Sequence, residues 1–338
     1  MNPLPWHRAA LERLLADRER MPHAVLVHGT AGTGKTEFAR ALGAGALCET
    51  PRNGLACGAC ASCHWMSQDN HPDYREVVPE AAADDAAEDD GEAGKPEKAK
   101  SLVIKIDQIR AVADFMALTT HRAGFRVLVI NPAEALHPAA ANSLLKTLEE
   151  PPPHTLIVLV SDRPARLLPT IRSRCRLLPL PLPPRAEALA WLKAEGVEEP
   201  EAALAAAGGA PLLARDLAQP DEAQLRRRLL QELARPSGAD ALTFAATIER
   251  GSVERFVHWM QTWVHDLVRV RLAGSARHHT DFAAALQARA RGASLEGLFD
   301  LDRALAEARG LSSHPLNARL LAEHLLMSYN RAASGGMS

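Results

Sequence analysis

The stretch Gly29-Thr30-Ala31-Gly32-Thr33-Gly34-Lys35-Thr36 is a complete phosphate-binding loop, G-x-x-x-x-G-K-[ST], and the apolar run Ala24–His28 leads into it. Glycines let such a backbone curl until successive N–H groups point inward at phosphate oxygens. Lys35 is expected to reach the β- and γ-phosphates, and the Thr36 hydroxyl to ligate Mg²⁺. A helix over Glu37–Leu47 would aim its positive end at the same anion. ATP or ADP with Mg²⁺ is the ligand this pattern nominates.

Outward from the loop, short apolar runs alternate with helical segments: Ala24–His28, Tyr74–Val78, Arg126–Ile130, Thr155–Ser161 and Arg176–Leu182. Their continuous apolar character predicts strands buried on both faces of a parallel sheet. Helical spacing at Ile109, Val112, Ala113 and Met116 follows Asp107, a candidate cap. His137-Pro138 opens a helix over Ala139–Glu150, and Pro151-Pro152-Pro153 stops it. Between Glu80 and Lys100 the sequence collapses to Ala, Asp, Glu, Gly, Lys and one Pro, which predicts a disordered acidic loop. The strand–helix alternation ends at Pro181–Pro184. A small helical unit then reaches about Ala218, and amphipathic helices follow from Pro220 to about Ala333. Trp259, Trp263 and Leu267 fall on one helical face and predict core packing. The expected domains are 1–182, 183–218 and 219–338.

Four of the five cysteines fall in one window, Cys48, Cys57, Cys60 and Cys63, spaced C-x8-C-x2-C-x2-C. In a reducing compartment clustered thiols read as metal ligands. Four thiolates suit a closed, structural zinc site, here over about residues 48–66. The long first gap departs from the usual short knuckle. An iron–sulfur cluster and unligated thiols are the alternatives.

Net charge is −2 over 338 residues, so nothing global announces a nucleic-acid binder. No apolar run approaches a membrane span, and residues 1–7 lack a secretory layout. We expect a cytoplasmic protein without membrane contact.

A working ATPase of this class carries an acid at the end of a neighbouring strand to hold Mg²⁺. Here Arg126–Ile130 is followed by Asn131-Pro132-Ala133-Glu134. Asn131 supplies no charge, Pro132 has no functional group, and Glu134 lies two residues further on. Weak or absent intrinsic hydrolysis is the expectation.

Asn142-Ser143-Leu144-Leu145-Lys146-Thr147-Leu148-Glu149-Glu150-Pro151-Pro152, followed by Ser173-Arg174-Cys175, resembles the bacterial clamp-loader subunits of DNA polymerase III. The clustered cysteines are similar to that family's zinc module. The resemblance implies an AAA+ α/β domain with a P-loop parallel sheet and a zinc-module insertion, a small helical lid and an all-α C-terminal collar. Within the family, Asn131-Pro132 resembles the delta-prime branch rather than the ATPase gamma/tau branch, which stays as the alternative. Pro211, in Gly208-Gly209-Ala210-Pro211, stands where a motor has a nucleotide-sensing arginine, and Ser161 occupies the sensor position of its strand. The resemblance further implies that Arg174 is an arginine finger acting in trans. It implies gamma/tau and delta partners in a heteropentamer, a β sliding clamp and primer–template DNA. The family is catalogued with DNA-directed DNA polymerase, although nothing in the sequence suggests polymerisation.

Overall fold

The structure is a computed structural model that describes residues 3–84, 101–117, 120, 124–235, 238–311 and 317–333. The chain divides into two compact units, Met1–Pro183 and Pro184–Ser338.

The first unit is built on five parallel strands: β1 (Ala24–His28), β2 (Tyr74–Val77), β3 (Arg126–Ile130), β4 (Thr155–Ser161) and β5 (Arg176–Pro179), in the order β2-β3-β4-β1-β5. The helices between them are α1 (Arg8–Leu15), α2 (Lys35–Leu47), α3 (Ala61–Ser67), α4 (Glu80–Asp84), α5 (Ile106–Ala117), α6 (Pro138–Glu149) and α7 (Pro169–Arg172). Alternate residues along each central strand face opposite sides. Leu26, Leu128, Ile130, Ile157 and Leu159 pack under α5, α6 and α7, while Val25, Val27, Val127, Val129 and Val158 pack under α1 and α2. A sheet covered on both faces explains the unbroken apolar runs.

The two edge strands depart from that expectation. β5 is mostly exposed, with Leu177 at 49 %, and it stops at Pro179 rather than Leu182. Among the described residues it pairs only with β1, and the prolines from 179 onward lack the N–H that a longer ladder needs. β2 is half-exposed for the same positional reason.

Two local expectations are also corrected. Asp107 lies inside the first turn of α5; the role of a cap falls to Gln108, whose Oε1 accepts the Lys105 backbone N–H at 2.9 Å. That is the return half of a capping box. Glu80–Asp84 forms a helix instead of loop, tied down by Lys105 Nζ on both Glu80 oxygens at 2.7 Å. Residues 85–100 of the expected acidic loop lie outside the described residues.

Arg126 and Asp73 anchor the β2 side of the sheet. The pair is 3.2 Å apart with side chains 3 % and 0 % exposed, and Arg126 Nη1 also donates to the Phe115 carbonyl at 2.6 Å.

The second unit is helical: α8 (Arg185–Ala194), α9 (Pro200–Ala206), α10 (Pro211–Leu217), α11 (Pro220–Ala234), α12 (Gly238–Ala245), α13 (Val253–Ala273), α14 (Ala283–Gly292), α15 (Leu295–Leu311) and α16 (Ala318–Ala333). One apolar cluster runs from Ala188 and Leu192 on α8 to Tyr329 on α16. Trp259, Trp263 and Leu267 are fully buried at its centre. Trp263 Nε1 donates to the Tyr329 hydroxyl at 3.0 Å, which donates in turn to the Leu233 carbonyl at 2.6 Å. That chain gives the Trp263 ring its polar outlet, whereas Trp259 Nε1 is buried with no hydrogen-bond partner.

Candidate nucleotide and metal sites

The phosphate loop joins β1 to α2 at the carboxyl edge of the sheet, where ligands of open α/β folds bind. Gly34 sits at φ 89°, which side chains resist, and a Cβ there would come within 2.9 Å of the His7 ring. Gly29 lies so close to the Leu180 carbonyl that a Cβ has no room. Thr30 and Ala31 are exposed, whereas Thr33, Gly34 and Lys35 are buried. The Thr33 hydroxyl donates to the Thr30 carbonyl at 3.0 Å and closes the turn.

Lys35 is engaged within the chain. Its ammonium donates to the Thr30 carbonyl at 2.5 Å and pairs with Asp162 Oδ1 at 2.6 Å. The lysine side chain is 4 % exposed and that of Asp162 45 %. Thr36 is engaged too: Asn131 Nδ2 donates to its Oγ1 at 3.1 Å. The first residue after β3 therefore reaches the hydroxyl expected to hold Mg²⁺, but does so with an amide. Glu134 points elsewhere, its Oε1 accepting the Asp162 backbone N–H at 3.1 Å. Its Oε2 is buried with no hydrogen-bond partner. Ser161, fully buried, ends β4 directly beside His28 of β1, and its Oγ accepts the Arg163 N–H at 3.1 Å.

The N-terminal segment closes over the loop. Trp6 Nε1 donates to the Thr33 carbonyl at 3.0 Å, and the buried His7 ring meets Phe38 edge-on at 5.3 Å. Burial, with Lys35 nearby adding repulsion, lowers the His7 imidazole to about 4.

Arg174 lies apart from this cluster, between α7 and β5. One amino group pairs with Glu149 Oε1 at 2.5 Å and the other donates to the Thr170 carbonyl at 3.0 Å. The neighbouring Cys175 thiol is buried and pushed up to about 11 by burial, a packed side chain outside the cysteine cluster.

Cys48, Cys57, Cys60 and Cys63 converge, all four sulfurs within 4.8 Å of one another, and could hold a metal ion. The Cys48–Cys60 and Cys57–Cys63 separations are both 3.9 Å. Tetrahedral Zn–S bonds of ~2.3 Å put sulfurs about 3.8 Å apart, so the four residues fit zinc. Backbone N–H groups aim at the sulfurs: Cys57 N at Cys48 Sγ (3.2 Å), and Cys63 N at Cys60 Sγ (3.4 Å). The Thr50 hydroxyl donates to Cys57 Sγ at 3.3 Å, and this bond together with the Ala59 and Cys60 amides lowers that thiol to about 5. Burial pushes Cys63 up to about 12. The long first gap now has a cause. Cys48 is the C-cap of α2, and the chain needs a small antiparallel bridge, Arg52 to Leu55, before it returns to Cys57. Arg18 ties the end of that helix, donating to the Cys48 carbonyl at 3.0 Å.

Asp162 and Thr50 escaped the sequence reading, and Glu149 entered it only as part of the family motif, with no contact assigned to it. Asp162 alone left a signal, being an acid directly after a strand that ends at the sheet's carboxyl edge. The contacts of the other two depend on approaches that no local pattern encodes.

A family profile described as "DNA polymerase III, delta subunit" matches residues 8–183, and its C-terminal counterpart matches residues 220–331. The delta-prime subunit of Pseudomonas aeruginosa DNA polymerase III is 40% identical over 63% of this chain and 60% of its own length. That of Escherichia coli is 35% identical over 82% of this chain and 78% of its own. That of Yersinia pestis is 32% identical over 99% of this chain and 98% of its own. With profiles matching residues 8–183 and 220–331 and the Yersinia pestis relative matching nearly end to end, the chain belongs to the delta-prime subunit family of DNA polymerase III.

Proposed function

We propose that this chain is the stator of a DNA polymerase III clamp loader, binding a nucleotide without turning it over and lending Arg174 in trans to a neighbouring gamma or tau ATPase. Asn131 is the observation that carries this reading. It fills the position from which a carboxylate would ligate the metal beside Thr36, and it presents an N–H₂ donor 3.1 Å from that hydroxyl. An amide neither charges the magnesium site nor activates water. Gly29 to Thr36 would then cradle ATP or ADP, with Ser161 at the strand end beside it, while hydrolysis belongs to the partner.

In trans, the Arg174 guanidinium would place positive charge against the γ-phosphate as it departs. In the free chain the same group is held by Glu149 and Thr170, within reach of solvent. Membership of the delta-prime family supports gamma/tau and delta subunits as partners, with the β sliding clamp and primer–template DNA reached through the complex. The four cysteines would hold zinc in a structural role; bound there, the ion cross-links α2, the intervening loop and α3. Among the described residues no helix is long and apolar enough to cross a membrane.

Reconstituted complex is the test. Arg174→Ala should leave nucleotide affinity of the isolated chain unchanged and cut ATP turnover of the complex, since such fingers are worth ~10³–10⁵ in rate at the site they serve. An undiminished complex rate overturns the finger.

One observation favours a second reading, a competent gamma-type ATPase: Glu134 Oε2 is buried without a partner, while its Oε1 holds the backbone of Asp162, whose carboxylate meets Lys35. Turnover by the isolated chain that disappears in Glu134→Gln would establish it.

A further inference from the structure

We infer that Asp162 is an intramolecular stand-in for phosphate: its carboxylate holds Lys35 in the nucleotide-free chain, and a nucleotide binds by displacing it. The inference rests on the reading of residues 29–36 as a nucleotide site.

Three observations converge on it. Lys35 is almost completely buried, and a buried ammonium needs a counter-charge when no phosphate is bound. Asp162 Oδ1 supplies that charge at 2.6 Å, within the range of a charge-assisted hydrogen bond. The two partners differ in freedom, because Asp162 is nearly half exposed and its carboxylate can rehydrate on leaving, whereas Lys35 cannot. The backbone carrying Asp162 is meanwhile pinned by Glu134 Oε1 on its own N–H and by Ser161 Oγ on the N–H of Arg163, both at 3.1 Å. Displacement is therefore a side-chain rotation over a fixed turn. On the metal side, Asn131 occupies Thr36 in the same way, so both groups that would meet a nucleotide already have protein partners.

A ligand binding only the unlatched state has its apparent affinity reduced by the fraction of chains in that state. Removing the latch should return that factor.

The experiment titrates full-length chain with N-methylanthraniloyl-ATP and -ADP in the presence of Mg²⁺, comparing wild type with Asp162→Asn and Asp162→Ser, and Lys35→Ala with Lys35→Ala/Asp162→Asn. Thermal unfolding of each variant confirms folding, and two replacements at 162 guard against one that misfolds. The expected result is about tenfold tighter binding in both single variants, with the gain abolished once Lys35 is gone. Equal affinity of wild type and single variants overturns the latch and leaves the nucleotide site standing. A gain that persists without Lys35 also overturns it. Failure of every variant to bind either probe overturns the latch and the nucleotide site together.

Discussion

At the N-terminal end of α2 the chain fills its own ligand site: Asp162 sits on Lys35 and Asn131 on Thr36. At the C-terminal end of the same helix, Cys48 joins three other thiols that converge on a common centre, with backbone N–H groups aimed at the sulfurs. The phosphate loop is satisfied without a ligand, and its borrowed charge comes from a side chain that water can reclaim. In the cysteine cluster the thiols differ widely in acidity, Cys57 near 5 through its hydrogen bonds and Cys63 near 12 through burial. A reversible ligand calls for the first kind of site. A metal that helps to fold the chain calls for the second.

Metal removal should have the largest effect on this contrast. Structural zinc sites carry ~10–16 kcal/mol of apparent binding energy, most of it expressed as folding. Purified chain should contain one zinc by elemental analysis, and Cys63→Ser should lose it. Residues 48–66 should then exchange amide hydrogens rapidly while β1, β3 and β4 stay protected. Full protection of 48–66 without metal would break the comparison.

The two buried cations come next. Arg126 and Asp73 are both inaccessible, whereas only Lys35 is buried in its pair with Asp162. Breaking a buried pair costs about 3–5 kcal/mol, and Asp162→Asn should cost less by a clear margin, because the amide oxygen can still accept from Lys35 and the ammonium keeps the Thr30 carbonyl. Urea unfolding of Asp73→Ala and Asp162→Asn should separate by that margin. Equal losses would mean that Asp162 is a structural fixture rather than a displaceable one.

The smallest effect comes from His7, packed against the phosphate loop. Its folded pKa is lowered to about 4 from an ordinary 6.5, so between those values the unfolded chain binds a proton that the folded chain refuses. The stability it contributes is fully present above pH 6.5 and lost as pH falls towards 4. At about 1.4 kcal/mol per unit, its share of the loss between pH 7 and pH 5 is about 2 kcal/mol. His258, also lowered to about 4, adds a similar slope from the helical unit. His7→Phe should reduce the dependence of urea midpoints on pH without abolishing it. An identical slope in that variant would place the His7 ring in water.

Much of this was legible because the signals are local. The phosphate loop needs eight consecutive residues, the cysteine cluster sixteen, and the buried Trp259–Trp263–Leu267 stripe a single helix. Prolines at 138 and 211 stand at the first positions of α6 and α10, where their missing N–H costs nothing. The edge status of β5 was illegible, because an apolar run reads the same at the rim of a sheet as at its centre. Asp107 misled for a related reason: capping depends on where the helix begins, and Gln108 one residue on makes the bond.

By itself, then, the sequence determined that a glycine-rich turn between strand and helix would gather N–H groups for phosphate, and that four thiols would meet. It also determined that the acid usual after the metal-binding strand would be an amide. Tertiary structure alone decided what that amide and the lysine do in the absence of ligand. Asn131 stands 95 residues from Thr36 along the chain. Parallel register brings the ends of β1, β3 and β4 to one edge of the sheet, where Asn131 and Asp162 meet the loop. Charges that far apart in sequence find each other only after the strands between them have paired, because the cost of closing such a loop is met by burial of the sheet's core.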